Sequence, residues 1–500
     1  MKASAFYLIS SIIIFSLCNC SKNKATTTKK TSISKVETSV IRVNSTIQKW
    51  NPSQPWDKSP PSKHSGLGAL LNGNRVLTTA EMAADATYIE LENADNTLSL
   101  PAKLIAIDYE ANLALLEADS GNTDEFFKDL IPLELAKPAQ IGDNVEVWQL
   151  EDNGMALTTT SIIQSVDVSS SFTQGHYFLN YKAKGSMQNA SNSFTLPVSK
   201  NGELLGLLST YNAKDQLIDI IAPEIISDFL KDAEDGQYDG FPSLGVSVSY
   251  TVDPNFRNWL KLSDDIGGLY VTFVTKGSAA ELAGVEKGDV ITMIDKHKIG
   301  RRGYYSDENY GRLFWSHLIR GSLTINENIE LTLLRDGEEK KLTATLTRPK
   351  EKLVPTNTYG QAPRYLVKGG FIFQELTINY LSAYGEEWPS KAPLDLLDIL
   401  SSPEDYEKDR NRIVILTATI PTQATTGYES LRNLIVSKVN GQTIADIPSL
   451  IQAFQTDGAD NLHTIEFDNG RPKTIYLDAT VTEQVDNQLL ERGIPNLSRE

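Results

Sequence analysis

The chain has 500 residues, 40% of them apolar and 22% charged, and carries a net charge of −17 at neutral pH. This length and apolar content suffice for about three packed domains. The acidic balance gives no electrostatic reason to bind nucleic acid, and no apolar run in the body of the chain approaches the roughly 18 residues a membrane span needs.

The first 20 residues read as an export leader. Met1-Lys2 is a positive start, and Ala3 to Leu17 is an apolar stretch of signal-peptide length, too short to span comfortably. Leu17-Cys18-Asn19-Cys20 follows and resembles a bacterial lipobox, which implies lipidation at Cys20, although Asn19 stands where a small residue is usual. The expectation is a membrane-anchored lipoprotein of the bacterial cell envelope, facing the periplasm or the cell surface. The other reading is a secretory signal that happens to contain cysteines. Cys18 and Cys20 are the only cysteines, so no disulfide framework is available and packed cores must supply stability. Residues 21–36 are a Ser/Thr/Lys stretch with five lysines, too polar to order itself, and are read as a flexible tether. Ser32-Ile33-Ser34-Lys35 satisfies the SxxK spacing of penicillin-recognising enzymes, but in such a low-complexity stretch the match is coincidental.

From Val36 onward, short strand-like runs are broken by turns such as Asn72-Gly73-Asn74, which predicts an all-β core of hairpins. The spacing of Ile225, Ile226, Phe229 and Leu230 behind Ala222-Pro223 predicts the first clear helix, and Asp232 to Gly240 a domain boundary. Ser278 and Glu281 are placed to box the start of a short helix that Gly284 can stop in the left-handed conformation. Asp336-Gly337 predicts a hairpin. A helix is expected over 309–319, with Leu313 and His317 facing a groove, and another over 448–454.

Three stretches carry a family resemblance. Leu77-Thr78-Thr79-Ala80-Glu81-Met82-Ala83 resembles the LTNxHVV segment of HtrA/Deg serine proteases, Asp108 to Leu116 resembles DxxxDLALL, and Ser191-Asn192-Ser193-Phe194-Thr195 stands where the family has GNSGG. Gly277 to Ile291 and Val439-Asn440-Gly441-Gln442-Thr443-Ile444 resemble PDZ-domain segments. The likeness extends from about residue 40 to the end and is nearest to the plant-type Deg branch. It implies a mainly β chain: a trypsin-like double β-barrel over 37–238, a PDZ domain over 239–350 and a second PDZ-like α+β domain over 351–500.

The same resemblance puts Ser193 in the nucleophile slot, Glu81 in the histidine slot and Asn112 in the aspartate slot. A serine hydroxyl needs a positioned base, and a carboxylate is weaker than imidazole by roughly two pKa units. Loss of the base alone costs on the order of a million-fold, because triad members act as a unit. Ser191, Phe194 and Thr195 also replace the glycines whose backbone shapes an oxyanion hole. The expected function is therefore that of an inactive protease fold. It would bind peptide C-termini or unfolded polypeptides as a scaffold or chaperone, as a homo-oligomer or with other envelope proteins. The alternative is a divergent but active endopeptidase of protein quality control, with a partner for Ser193 such as His64 or His176, although both read as ordinary loop or surface histidines. Ser243-Leu244-Gly245-Val246 matches the family's carboxylate-binding loop and is the expected peptide site. With no HExxH, cysteine pair or phosphate-loop spacing, neither a metal nor a cofactor is expected.

Overall fold

The structure is a computed structural model that describes residues 35–500 apart from 171, 174, 188–194, 322, 357 and 457–458. The leader with Cys20, the tether up to Ser34, and Ser193 with Ser191, Asn192 and Phe194 lie outside the described residues.

The first closed barrel has six strands, which follow one another around it as Val40–Ile47, Ser62–Leu71, Arg75–Thr78, Leu113–Ala118, Ser99–Asp108 and Ala86–Glu92. The run Leu113 to Leu116 is buried on both faces for a definite reason. Ala114 and Leu116 fill the interior of the first barrel, whereas Leu113 and Leu115 pack into the core shared with the second. Each buried leucine is worth about 1.5–3 kcal/mol, so this strand holds the two barrels together. The second barrel closes in the order Ala156–Ser169, Phe178–Lys184, Leu217–Ile221, Glu203–Asn212, Leu196–Lys200 and Asn144–Leu150. The helix Pro223–Asp232 caps it, with Ile225, Ile226 and Phe229 buried as the spacing predicts.

A helix runs over Lys35–Ser39, so the last two residues of the expected tether are helical. Val36 is buried in the second-barrel core, and Lys35 Nζ donates to the Gly202 carbonyl.

The first module is an antiparallel sheet in the order Val246–Tyr250, Leu269–Val274, Val290–Ile294, Asn328–Arg335, Glu338–Thr345. Ser278 caps the short helix Ala279–Ala283, and Gly284 ends it at φ 86°. The Glu281 carboxylate accepts from Gly277 N–H, however, rather than closing the box on Ser278. The expected helix over 309–319 is absent. Its place is taken by a hairpin of Tyr304–Asp307 and Gly311–Phe314, followed by a short helix, His317–Arg320. The Asp307 carboxylate accepts from the N–H groups of Asn309 and Tyr310, and Gly311 sits at φ 78°, so a local turn outcompetes the helix.

The second module has a larger sheet in the order Thr474–Asp478, Leu462–Phe467, Leu434–Val439, Val414–Thr419, Phe371–Glu375, Tyr365–Lys368, Ser498–Arg499. The helix Ile447–Gln455 packs with Leu366, Phe371 and Phe373, and residues of the helix Ala479–Glu491 pack with Tyr365, Val367 and Ile372. The strand Tyr365–Lys368 is thus enclosed on both faces, which explains its continuous Tyr-Leu-Val run.

Candidate functional site

The structure brings Glu81 and Asn112 together. Glu81 sits in the first turn of the short helix Ala80–Ala83, and its backbone N–H donates to Asn112 Oδ1 at 3.1 Å. Asn112 is buried at φ 58°, a left-handed conformation that asparagine accepts more readily than most residues. The Glu81 side chain itself is exposed. Beside them, Thr79 Oγ1 and Thr195 Oγ1 share a buried hydrogen bond of 2.8 Å, and Leu67 N–H donates to the Thr195 carbonyl. The stretch that carries the histidine slot is therefore pinned to the strand end just after Ser193.

The N-terminal segment of the second module, before its strand Tyr365–Lys368, lies over this slot. The Tyr359 ring packs on Tyr109 and Phe172, both at 5.0 Å between ring centroids. Gly360 N–H donates to Asp85 Oδ1 at 2.7 Å. Tyr109 stands three residues before Asn112 and Asp85 four after Glu81, so the segment touches both arms of the slot. Burial, aided by the charge of Asp85, pushes the Tyr109 phenol up to about 12.

His176 lies in a loop, one of the two expected settings, but not at the surface. It is buried, with Nδ1 2.9 Å from Glu110 Oε2, and Arg320 Nη1 lies 2.9 Å from the same oxygen. Burial alone would raise the Glu110 carboxyl, but His176 and Arg320 outweigh it and hold the group below its ordinary value. Arg320 closes the short helix of the first module, and Glu110 sits in the loop before Asn112, so the cluster ties that module to the slot. Asp108 anchors the same loop: it accepts from Ala111 N–H at 2.6 Å and from the Tyr238 hydroxyl at 2.7 Å. Burial, reinforced by Glu110, pushes its carboxyl up.

All four residues of the expected carboxylate-binding loop, Ser243, Leu244, Gly245 and Val246, line a cavity of about 530 Å³ in the first module. Among the described residues the strand Val246–Tyr250 pairs only with Leu269–Val274, which leaves its other edge free beside the cavity. Gly245 is at φ 79°, and a Cβ there would come within 2.2 Å of Ser278 Cβ, so glycine is required. The opposite wall is Phe314, Trp315, Ser316, Ile319 and Arg320. Leu313 and His317, expected in that wall, do not line it. Leu313 is fully buried in the core and His317 turns inward, where burial holds its imidazole below the ordinary value. The hairpin shifts the register of this segment away from the helical one. Tyr177, contributed by the second barrel, also lines the cavity, and nothing in its sequence neighbourhood signals that role. Trp315 Nε1 and Ser316 Oγ are buried without a hydrogen-bond partner among the described residues.

The second module offers no equivalent edge among the described residues. Its corresponding strand, Phe371–Glu375, pairs with Val414–Thr419 on one side and with Tyr365–Lys368 on the other. No group of three or more metal-ligating side chains occurs among the described residues.

The PDZ domain family is matched over residues 242–346 and again, by a second PDZ model, over 354–496. "Protease Do-like 4, mitochondrial" of Arabidopsis thaliana is 26% identical over 457 residues, covering 91% of this chain and 83% of that protein. "Protease Do-like 2, chloroplastic" of the same plant is 26% identical over 443 residues, covering 87% and 70%. Among solved structures, the HtrA-type protease AlgW with a decapeptide is similar at TM-score 0.47 and 20% identity, over 64% of this chain and 100% of that one. With two closed barrels, two PDZ segments and a likeness to Do-like proteases that runs over nine-tenths of its length, this protein belongs to the HtrA/Deg family.

Proposed function

We propose that this protein is a peptide-binding, catalytically inactive member of its family. It would capture extended peptide tails or unfolded segments in the groove of its first PDZ domain, as a scaffold or chaperone. The observation that carries this reading is the groove: a free strand edge, a glycine-shaped loop and two buried donors, Trp315 Nε1 and Ser316 Oγ, unpartnered among the described residues. An added strand would take its main-chain hydrogen bonds from the free edge, and the loop amides would receive a terminal carboxylate. Support for inactivity comes from the slot, where a carboxylate and an amide stand in place of imidazole and aspartate. Of the two histidines nearest in sequence, His176 is engaged by Glu110 and Arg320, and His64 lies exposed on a strand of the first barrel.

The composition of the leader supports a bacterial cell envelope as the site of this activity, through a lipid on Cys20. Assembly with itself or other envelope proteins belongs to the same reading. Residues 21–500 would be treated with a fluorophosphonate probe and an unfolded substrate, with Ser193→Ala as control, and titrated with a library of peptides bearing free C-termini. Silence in the first two assays with saturable binding in the third is the expected result. Labelling and cleavage that vanish in the control would instead establish a working endopeptidase.

A further inference from the structure

In the second module both edges of Phe371–Glu375 are paired among the described residues, yet one strand further out an added strand is present. Ser498 and Arg499 pair antiparallel with Leu366 and Tyr365. Val367 N–H donates to the Leu497 carbonyl at 2.6 Å, and the Tyr365 hydroxyl donates to the Asn496 carbonyl at 2.8 Å. The pairing is only two residues long, and Ser498 and Glu500 are exposed, so the ladder contributes few bonds. A single side chain supplies the anchor. The Arg499 guanidinium lies 4.4 Å from the Trp50 ring centre and 5.2 Å from that of Tyr365. Its Nη1 donates to the carbonyls of Pro55 at 3.1 Å and Pro363 at 3.3 Å.

Trp50 and Pro55 belong to a separate two-stranded hairpin, Trp50–Asn51 and Gln54–Lys58, inserted between the first two strands of the first barrel, so three parts of the chain build this receptacle: that hairpin, the segment leading to Tyr365 and the strand Tyr365–Lys368. Trp56 and Leu497 complete it on the apolar side, packed on Tyr365 and Val367. Its chemistry is that of peptide recognition: a strand edge for the main chain, an aromatic pair and two carbonyls for a cation, and an apolar shelf for the residue two before it.

We propose that the edge of Tyr365–Lys368, with Trp50, Pro55 and Pro363, is a binding site for an extended peptide bearing arginine, filled here by the chain's own Leu497–Arg499. The strand is a ligand in cis, holding the second module against the first barrel. A second peptide of the same chemistry competes with it, at a disadvantage set by the high local concentration of the tethered strand. This site is separate from the first-module groove and stands or falls independently of it.

The test uses residues 21–500 and the same chain ended after Asn496. Each is titrated with a labelled peptide of the sequence Ile494–Glu500, amidated at its end so that no free carboxylate can enter the first-module groove. The shortened chain is expected to bind at least about tenfold more tightly than the intact one, and alanine in place of the peptide's arginine to weaken binding about tenfold. Equal binding by the two chains, or no binding by a folded shortened chain, overturns the proposal. Should shortening unfold the protein, the intact chain with Arg499→Ala replaces it and is expected to bind the arginine peptide more tightly than its parent. No gain there also overturns the proposal. A dimer of the intact chain that Arg499→Ala dissolves would assign the strand to a second copy and overturn the assignment in cis.

Discussion

Asn112 accepts the backbone N–H of Glu81 in a partly buried hydrogen bond of 3.1 Å, across a slot where the family's catalytic pair would meet side chain to side chain. The contact does not need an ionised partner. Asparagine supplies the acceptor, tolerates the left-handed backbone and avoids burying a charge. The bond joins the helix Ala80–Ala83 to the loop from Asp108.

Replacing Asn112 with alanine therefore strands the Glu81 N–H and places a Cβ-bearing residue without local hydrogen bonding at φ 58°. A loss of about 2 kcal/mol is expected in urea unfolding. Asn112→Gly keeps the backbone relaxed and loses only the bond, so it should cost less. Equal costs would show that the hydrogen bond, not the backbone, dominates, and a negligible cost for both would remove the joint.

Gly245 separates the groove loop from Ser278. Gly245→Ala puts a methyl 2.2 Å from Ser278 Cβ, which forces the loop outward. Peptide affinity for the first module should fall at least about tenfold while both barrels stay folded, as read by fluorescence anisotropy and circular dichroism. Unchanged affinity would mean that this loop does not hold the peptide end.

Glu110 titrates below its ordinary value of 4.5 because His176 and Arg320 stabilise its charge beyond the cost of burial. A carboxylate with a lowered folded value binds fewer protons folded than unfolded. Its contribution is complete above about 4.5 and is lost as pH falls through the lower folded value. Glu110→Gln should cost about 1–3 kcal/mol near neutrality and remove that part of the acid-side decline in Tm. A parallel decline in both proteins would assign the acid sensitivity elsewhere.

Tyr359 holds its segment over the slot through two ring contacts. Each is worth about 0.5–1.5 kcal/mol, so Tyr359→Ala should free the segment locally without unfolding either barrel. Limited proteolysis between residues 353 and 364 is expected to quicken severalfold. An unchanged cleavage rate would show that the Gly360–Asp85 bond and the flanking packing suffice.

Features that depend on the conformational needs of one or two residues are legible in the amino-acid order. Asp336-Gly337 makes its hairpin with both residues at positive φ, and Gly284 stops its helix. An all-β core of hairpins follows from short apolar runs and turn residues in the same way, whereas its closure into two barrels was implied only by the family resemblance. Over 309–319 the helical spacing of apolar residues misleads, because Asp307 and Gly311 set a turn that such spacing does not register. The burial of the loop residue His176 is not legible because its partners, Glu110 and Arg320, are 66 and 144 residues away in sequence.

The sequence alone determined the β-rich character of the chain and its main turns and caps, while the resemblance of short motifs to HtrA/Deg proteins implied the double barrel and the two modules behind it. These are local properties: periodicity, turn chemistry and the identity of single residues. Tertiary structure decided which PDZ groove is open, what lies over the slot, and what Arg499 touches. Each depends on which strand takes a free edge and which distant side chain shares a buried site, and those contacts exist only after the chain has closed loops of tens to hundreds of residues.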